Sequence, residues 1–329
     1  MTTVAVMAAP RPDRRRLALA AAVPWLAWAG VRATGAERGF PLVPALSFTP
    51  YAAAGAVLPL ALSVRARSAA GALLAAGAGT ALAAAVLTCR DGDVGPQPPA
   101  DGPRLRVATV SLRRGLVHPG PVLDLVRRYD VDVLAVQELT PGAEAALCAA
   151  GLGELLPSAH VIPARDGVVP SASGAVWTRL TVKDRGAVPG GFEQPTVRLS
   201  LDGAPEVELT AVHTTPPAIS PRAVRDWTTD LGALPDPSAT VLRVLAGDFN
   251  ATLDHAALRA VLRRGYADAA QRVGRGLSWT WRPLRLRFPR LSLDHVLVDP
   301  RITVTAVELV PVAGSDHRAV VAELVLPRR

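Results

Sequence analysis

Five apolar runs in this chain end on residues able to hold a metal ion or move a proton: Gln137-Glu138, His213, Asp248-Phe249-Asn250, Asp294-His295 and Asp316-His317. Carboxylate oxygens are hard ligands suited to Mg²⁺. Amide and imidazole groups add donors and acceptors for phosphoryl oxygens and a route for protons. Taken singly, each acid reads as a turn residue or a helix cap. Five in series point instead to one loop-lined rim with metal-assisted phosphoryl chemistry.

For these residues to meet, the runs before them must be strands of packed sheets. Leu105–Val110 and Val131–Val136 are short apolar, β-branched runs separated by a helical stretch, Val122–Arg128, with Pro121 suited to its first turn. Further strands are predicted at Gly174–Thr178, Thr196–Leu201, Val207–His213, Val241–Ala246, Ser292–Val298, Thr303–Val310 and Ala319–Val325, and helices at Pro221–Leu231 and Asp254–Arg264. Strands so outnumber helices after residue 170 that a single doubly wound sheet fits poorly. Two packed sheets with outer helices fit better. No nucleotide-binding glycine loop and no G-x-S-x-G is present, which removes nucleotide-loop and serine-hydrolase readings. With Cys89 and Cys148 as the only thiols, there is neither a disulfide framework nor a four-cysteine zinc site, so a metal must be held by carboxylates or histidines. The net charge of +8 is almost wholly arginine in an alanine-rich chain, a habit of composition that does not by itself indicate nucleic acid.

Half of the 329 residues are hydrophobic but only 4% aromatic, and the apolar content is concentrated at the front. Phe40–Val64 and Ser68–Cys89 are uncharged and long enough to cross a bilayer as helices, and Leu17–Val31 spans if its flanking arginines snorkel. The expected organisation is a membrane anchor over residues 1–89, with transmembrane helices at about 17–34, 40–64 and 68–89, a linker over 90–103 and a catalytic domain over 104–329. With three spans, Arg11, Arg14, Arg15 and Arg16 before the first span and Arg65 and Arg67 between the second and third place those loops in the cytoplasm and the domain outside the cell membrane; with the first segment lying in the interface instead, the domain is cytoplasmic and Arg65 and Arg67 face out against the rule. The linker, rich in Pro, Gly and Asp, is predicted to be extended and mobile, and to keep the domain within about 20 Å of the bilayer.

The motifs VQE, VHTTP, GDFN, LDHVLV and GSDH, in this order between Val136 and His317, closely resemble the endonuclease/exonuclease/phosphatase family of metal-dependent phosphoesterases. Membrane-anchored bacterial members, including ones linked to glycopeptide (teicoplanin) resistance, share this layout. The resemblance covers residues 104–329 and implies an α/β four-layer sandwich of two mixed β-sheets flanked by helices. It implies Glu138 as principal Mg²⁺ ligand, with Mn²⁺ as a substitute, and Asp316 as a second metal contact. Asp248 then orients or deprotonates the attacking water. Asn250, on the same face of an extended segment, donates to a phosphoryl oxygen, while Phe249 points into the core. His213 binds phosphate or protonates the leaving oxygen. His317 acts as acid/base or transition-state stabiliser, and Asp294 holds its tautomer. His295 faces the opposite side of its strand and is structural. Where the family usually has Asn in its first motif, RVATVSLRRG carries Ser111, a short hydroxyl that leaves room for a water.

Arg113 follows that serine, and the segment SWTWRPLRLRFPRLSLDH alternates Trp279, Trp281 and Phe288 with Arg282, Arg285, Arg287 and Arg290 just before Asp294. Ser111, Arg113, Trp281 and Arg282 are therefore candidate substrate contacts. Such interleaving suits stacked single-stranded bases and equally a membrane interface with anionic headgroups. The favoured reading is a membrane-anchored, Mg²⁺-dependent phosphoesterase acting on a lipid-linked phosphate ester or pyrophosphate, of polyprenyl pyrophosphate type, at the outer face. The alternatives are a surface nuclease cutting DNA or RNA with the same site, and a non-catalytic phosphate or partner sensor, suggested by Ser111.

Overall fold

The structure is a computed structural model that describes residues 13–90, 97–99 and 101–329. It divides into two compact units, Met1–Ala36 with Phe48–Val86, and Glu37–Ser47 with Leu87–Arg329. Arg11 lies outside the described residues.

Three helical stretches are long and apolar enough to cross a membrane: Arg14–Thr34, Leu42–Arg65 and Ala69–Thr88. The first starts on Asp13, whose carboxylate accepts from the Arg15 N–H, and stops at Gly35 in the left-handed region. The second is segmented into Leu42–Ala45, a 3-10 turn, Thr49–Gly55 and Val57–Arg65. Pro44, Pro50 and Pro59 within this stretch each remove a backbone donor and so favour such breaks. Inside the first unit the Trp25 indole N–H donates to Ala52 O at 2.8 Å and that of Trp28 to Thr49 Oγ1 at 3.1 Å. Leu58, Leu62 and Leu73 point outward, as lipid-facing side chains do.

Among the described residues the second unit contains twelve strands: β1 Arg104–Ser111, β2 Val133–Leu139, β3 Ser158–Ile162, β4 Ser173–Thr178, β5 Thr181–Val188, β6 Gln194–Ser200, β7 Val207–His213, β8 Leu242–Asp248, β9 Ala267–Asp268, β10 Asp294–Val298, β11 Thr303–Pro311 and β12 Arg318–Val325. They form two six-stranded sheets, ordered β11-β12-β1-β2-β4-β3 and β5-β6-β7-β8-β10-β9. In each, one pair is parallel, β1 with β2 and β7 with β8, and the other pairs are antiparallel. One apolar core lies between the sheets, where alternate residues such as Val107, Val133, Leu209, Val244, Val296 and Leu324 meet. A second core packs helices Pro119–Arg128 and Pro141–Ala149 on one outer face, and a third packs Pro221–Ala233 and Ala256–Arg263 on the other. The result is the expected four layers.

Two segments outside this core belong to it nonetheless. The first is 37–47, between the first two apolar stretches. Val43 is buried in the third core, His255 Nε2 donates to its carbonyl at 3.0 Å, and the Glu37 carboxylate accepts from the Ala256 N–H at the start of a helix. The second is the end of the expected mobile linker, of which residues 91–96 and 100 lie outside the described residues. Gln97 donates through Nε2 to Val304 O at 3.1 Å and accepts from Val304 N at 2.7 Å, and Thr303 Oγ1 donates to Pro98 O at 2.7 Å. A glutamine amide presents an N–H and a C=O side by side, as a backbone peptide does, so it continues the ladder beside β11. This part packs rather than swings.

Topology explains where the site forms. Ser111, Glu138, His213 and Asp248 stand at or near the carboxyl ends of β1, β2, β7 and β8. Asp294 opens β10 directly opposite Asp248, and Asp316-His317 precede β12, antiparallel to β1. All seven residues therefore reach one rim. The glycine of GDFN is a packing requirement, because a Cβ on Gly247 would overlap the Val212 carbonyl of β7.

Candidate active site

Alternation along β8 and β10 places Asp248 and Asp294 on the face of Val244, Ala246, Val296 and Val298, at the edge of the inter-sheet core. His317 joins them. Ligand atoms of Asp248, Asp294 and His317 lie within 4.8 Å of one another, and all three residues are buried. His317 Nδ1 donates to Asp294 at 2.9 and 3.1 Å, while its Nε2 faces Asp248 Oδ2 at 3.9 Å. Asp294 is fixed in turn: Thr280 Oγ1 accepts from the Leu293 and Asp294 N–H groups. Burial opposes the charged imidazolium of His317, but the Asp294 carboxylate and its hydrogen bond, with Asp248 and Asp316 behind them, raise it to about 10. Burial, and then the Asp294 charge, raise Asp248 against the pull of His317.

His213 is the opposite case. Its ring lies 4.5 Å from that of Phe192, and its Nδ1 is buried with no hydrogen-bond partner. Burial first, and the His317 charge second, push it down to about 3. A neutral imidazole can hydrogen-bond a phosphoryl oxygen, but at neutral pH it carries no extra proton for a leaving group.

GDFN behaves differently from the extended segment predicted. The strand ends at Asp248, and Asn250 adopts φ 46°, in the left-handed region. This turn folds the amide back: Asn250 Nδ2 donates to Thr214 O at 2.9 Å and to Asp248 Oδ2 at 3.3 Å, and Asn250 N donates to Asp248 Oδ1 at 2.8 Å. Both amide hydrogens are thus committed inside the protein, and Asn250 holds the Asp248 carboxylate rather than presenting a free donor to phosphate. Phe249 points into the core as expected, edge-on to His295 at 5.6 Å. His295 is structural: Nδ1 donates to Asp268 Oδ2 at 2.7 Å and Nε2 to Ala251 O at 2.9 Å.

Glu138 sits within a register shift in β2, between Val136 and Leu139, with φ 53°, and Arg113 and Arg114 also adopt positive φ. Such residues cost about 1–3 kcal/mol each where non-glycine, and their gathering on this rim marks it as a site built under strain. Glu138 Oε2 accepts from Arg114 N at 2.6 Å and Oε1 from the Ser111 hydroxyl at 3.3 Å. Ser111 therefore still supports Glu138, from where the family amide would stand. Arg113 donates to Gly314 O at 3.2 Å, tying this turn to the loop that carries Asp316. Asp316 Oδ2 accepts from the Trp281 indole N–H at 3.2 Å, while its Oδ1 is buried with no partner.

A divalent cation suits this donor set. Glu138 and Asp316 offer hard oxygens, the orphaned Asp316 Oδ1 needs a positive partner, and Asp248 feels the Glu138 charge. The tightest cluster, however, is Asp248, Asp294 and His317 rather than the two expected ligands. Trp281, expected to meet substrate, is occupied with Asp316 and pairs its backbone with His317 and Leu291. The aromatic centre of the arginine loop is Trp279, whose ring carries Arg282 at 5.7 Å, Arg290 at 5.1 Å and Arg318 at 3.6 Å. Thr280 and Arg318 carry no motif that would single them out in the sequence.

A two-sheet sandwich with acids and imidazoles on one rim is the architecture of metal-dependent phosphoesterases. The chain belongs to the Endonuclease/Exonuclease/phosphatase family, whose model matches residues 111–317. Members of this family are metal-dependent hydrolases of phosphoester bonds, and this protein is an enzyme of that kind. Its fold is shared by a humanized TDP2 from D. rerio, 15% identical with TM-score 0.55, the match covering 67% of this chain and 98% of that one. A conserved protein of unknown function from Enterococcus faecalis V583 is 16% identical with TM-score 0.54, covering 68% and 100%. An endonuclease/exonuclease/phosphatase from Beutenbergia cavernae DSM 12333 is 21% identical with TM-score 0.50, covering 68% and 72%. A comparison with curated proteins found no match.

Proposed function

We propose that this enzyme is a membrane-anchored, Mg²⁺-dependent hydrolase of a lipid-linked phosphate ester or phosphoanhydride at the outer face of the cell membrane, with Mn²⁺ able to replace Mg²⁺. The observation that carries the lipid reading is the attachment of the phosphoesterase fold to three helices long and apolar enough to span. Residues 37–47 fold into the same compact unit as the sandwich. This supports one side of the bilayer for both, and two crossings between them satisfy it. The arginines at 14–16, 65 and 67 favour cytoplasmic loops, which puts the sandwich outside.

In this reading Glu138 and Asp316 hold the cation, which when bound supplies charge neutralisation for the phosphoryl group and a more acidic water. Asp248, held by Asn250, takes the proton of the attacking water; its raised proton affinity suits that task. His317, kept cationic by Asp294, offers Nε2–H to a phosphoryl oxygen as negative charge develops. Neutral His213 hydrogen-bonds the phosphoryl group. The test is a substrate panel on the full chain in detergent, with Mg²⁺ and with EDTA: phosphate release from polyprenyl diphosphate, abolished by Glu138→Ala and His317→Ala, is the expected result. Unchanged turnover in both variants refutes the site.

The nuclease alternative is favoured by the arginine loop, and TDP2 from D. rerio has been crystallised with a single-strand DNA product. It predicts plasmid hydrolysis steeply inhibited by salt and no action on lipid phosphates.

A further inference from the structure

Arg282, Arg290 and Arg318 crowd three guanidinium groups around the one indole of Trp279. A neutral indole attracts each cation but does not neutralise three of them. Among the described residues neither Arg282 nor Arg318 forms an ion pair, and Arg318 Nε is buried with no hydrogen-bond partner. The cluster is contiguous with the acid and imidazole rim. Arg318 follows His317 and its N–H donates to Thr280 O, while Arg282 N donates to Asp316 O at 3.1 Å. Arg318 also lies two residues beyond the Val320–Thr109 pair, as Ser111 does on β1, so both strands carry these side chains on the inter-sheet face. Guanidinium forks are matched to phosphate oxygens.

The geometry points to a second phosphate subsite, formed by Arg282, Arg290 and Arg318 on Trp279, that holds the non-scissile phosphoryl group of an organic diphosphate while the scissile one lies at the acid cluster. The inference rests on the hydrolase reading above and narrows it to phosphoanhydrides. In the step it serves, a water oxygen bonds to the phosphorus at the acid cluster and one water proton passes to Asp248. The bond from that phosphorus to the bridging oxygen breaks, and its electron pair stays on that oxygen. The leaving phosphate remains on the arginines, which neutralise its new charge.

Two measurements on the full chain in detergent test this. In EDTA, where hydrolysis is stopped, tryptophan fluorescence is titrated with inorganic pyrophosphate. A saturable change is expected, absent in Trp279→Phe, with apparent Kd raised roughly tenfold or more in Arg318→Gln and Arg282→Gln, the scale of one charge-assisted hydrogen bond. An unchanged titration in both arginine variants, with native thermal unfolding, shows a structural stack only and overturns the subsite. With Mg²⁺, Arg318→Gln is expected to raise KM for farnesyl diphosphate by a similar factor and to leave farnesyl phosphate unaffected. Equal losses on both substrates also overturn the subsite. Binding as expected but with neither substrate hydrolysed retains the subsite and refutes the hydrolase reading. The same arginine dependence seen only with oligonucleotides assigns the second phosphate to a neighbouring nucleotide and overturns the diphosphate class.

Discussion

Replacing Asp294 with Asn isolates one charge. Asp294 makes the two largest contributions that raise His317, by its charge and its hydrogen bond, and together with Asp248 and Asp316 these overcome the opposing burial. The lift from 6.5 to about 10 corresponds to about 5 kcal/mol in favour of the imidazolium. The Asn oxygen can still accept from Nδ1, so the ring stays in place while the charge is lost. Burial then meets only the Asp248 and Asp316 charges, so the imidazole loses its proton at a lower pH than in the parent and less of it is protonated at pH 7.5. Activity at that pH is expected to drop at least tenfold, and up to about 10⁴-fold where proton transfer is also impaired. The signature is the pH profile. In the parent enzyme the alkaline limb lies near the His317 value; in Asp294→Asn it moves to lower pH. The assay is Mg²⁺-dependent hydrolysis of a chromogenic phosphodiester by the full chain in detergent. An alkaline limb that stays where it was, at either full or reduced activity, refutes a catalytic role for the charge on His317.

Glu138→Gln removes the charge that Ser111 and Arg114 position, so the Mg²⁺ concentration for half-maximal activity should rise roughly tenfold or more; an unchanged Mg²⁺ titration excludes Glu138 as a ligand. Ser111→Ala removes one hydrogen bond of 3.3 Å to that carboxylate, and a milder rise, below about tenfold, is expected in the same titration. His255 is held neutral, mainly by burial, at about 4 against 6.5. The lowered folded value makes its contribution, at most about 3 kcal/mol, complete above 6.5 and lost as the pH falls through about 4. The slope of thermal stability over that window should flatten in His255→Gln. Gly247→Ala forces β8 away from the Val212 carbonyl and is expected to cost about 2–4 kcal/mol, read by thermal unfolding.

The central strands and the polar residue at the end of each were legible because parallel and buried strands are nearly continuous apolar runs. β5 was not: Lys183, Asp184 and Arg185 lie exposed on an edge, where charge protects against unwanted pairing and erases the apolar signal. β3, also an edge, and β9, two residues long, left equally little trace. Among site residues, types and order were readable and local conformation was not. Asn250 and Glu138 occupy the left-handed region, which side-chain alternation cannot foresee. Trp279 and Trp281 differ by one strand period only, yet one carries the arginines and the other holds Asp316. The low proton affinity of His213 depends on burial near Phe192, a neighbour 21 positions away that no motif links to it.

Val43 and Glu37 are synthesised near the start of the chain, yet Val43 completes an apolar layer whose remaining members lie between Val188 and Leu297, and Glu37 caps a helix within that stretch. In the membrane-anchored reading proposed above, the segment between the first two apolar helices waits, already delivered to its side of the bilayer, until the sandwich emerges. Maturation of the hydrolase would then be tied to correct insertion of its anchor: a chain threaded the wrong way round would leave Val224, Leu258 and Val261 without the Val43 segment. An excised sandwich beginning at the linker would lack the same piece and be left with a greasy, aggregation-prone flank.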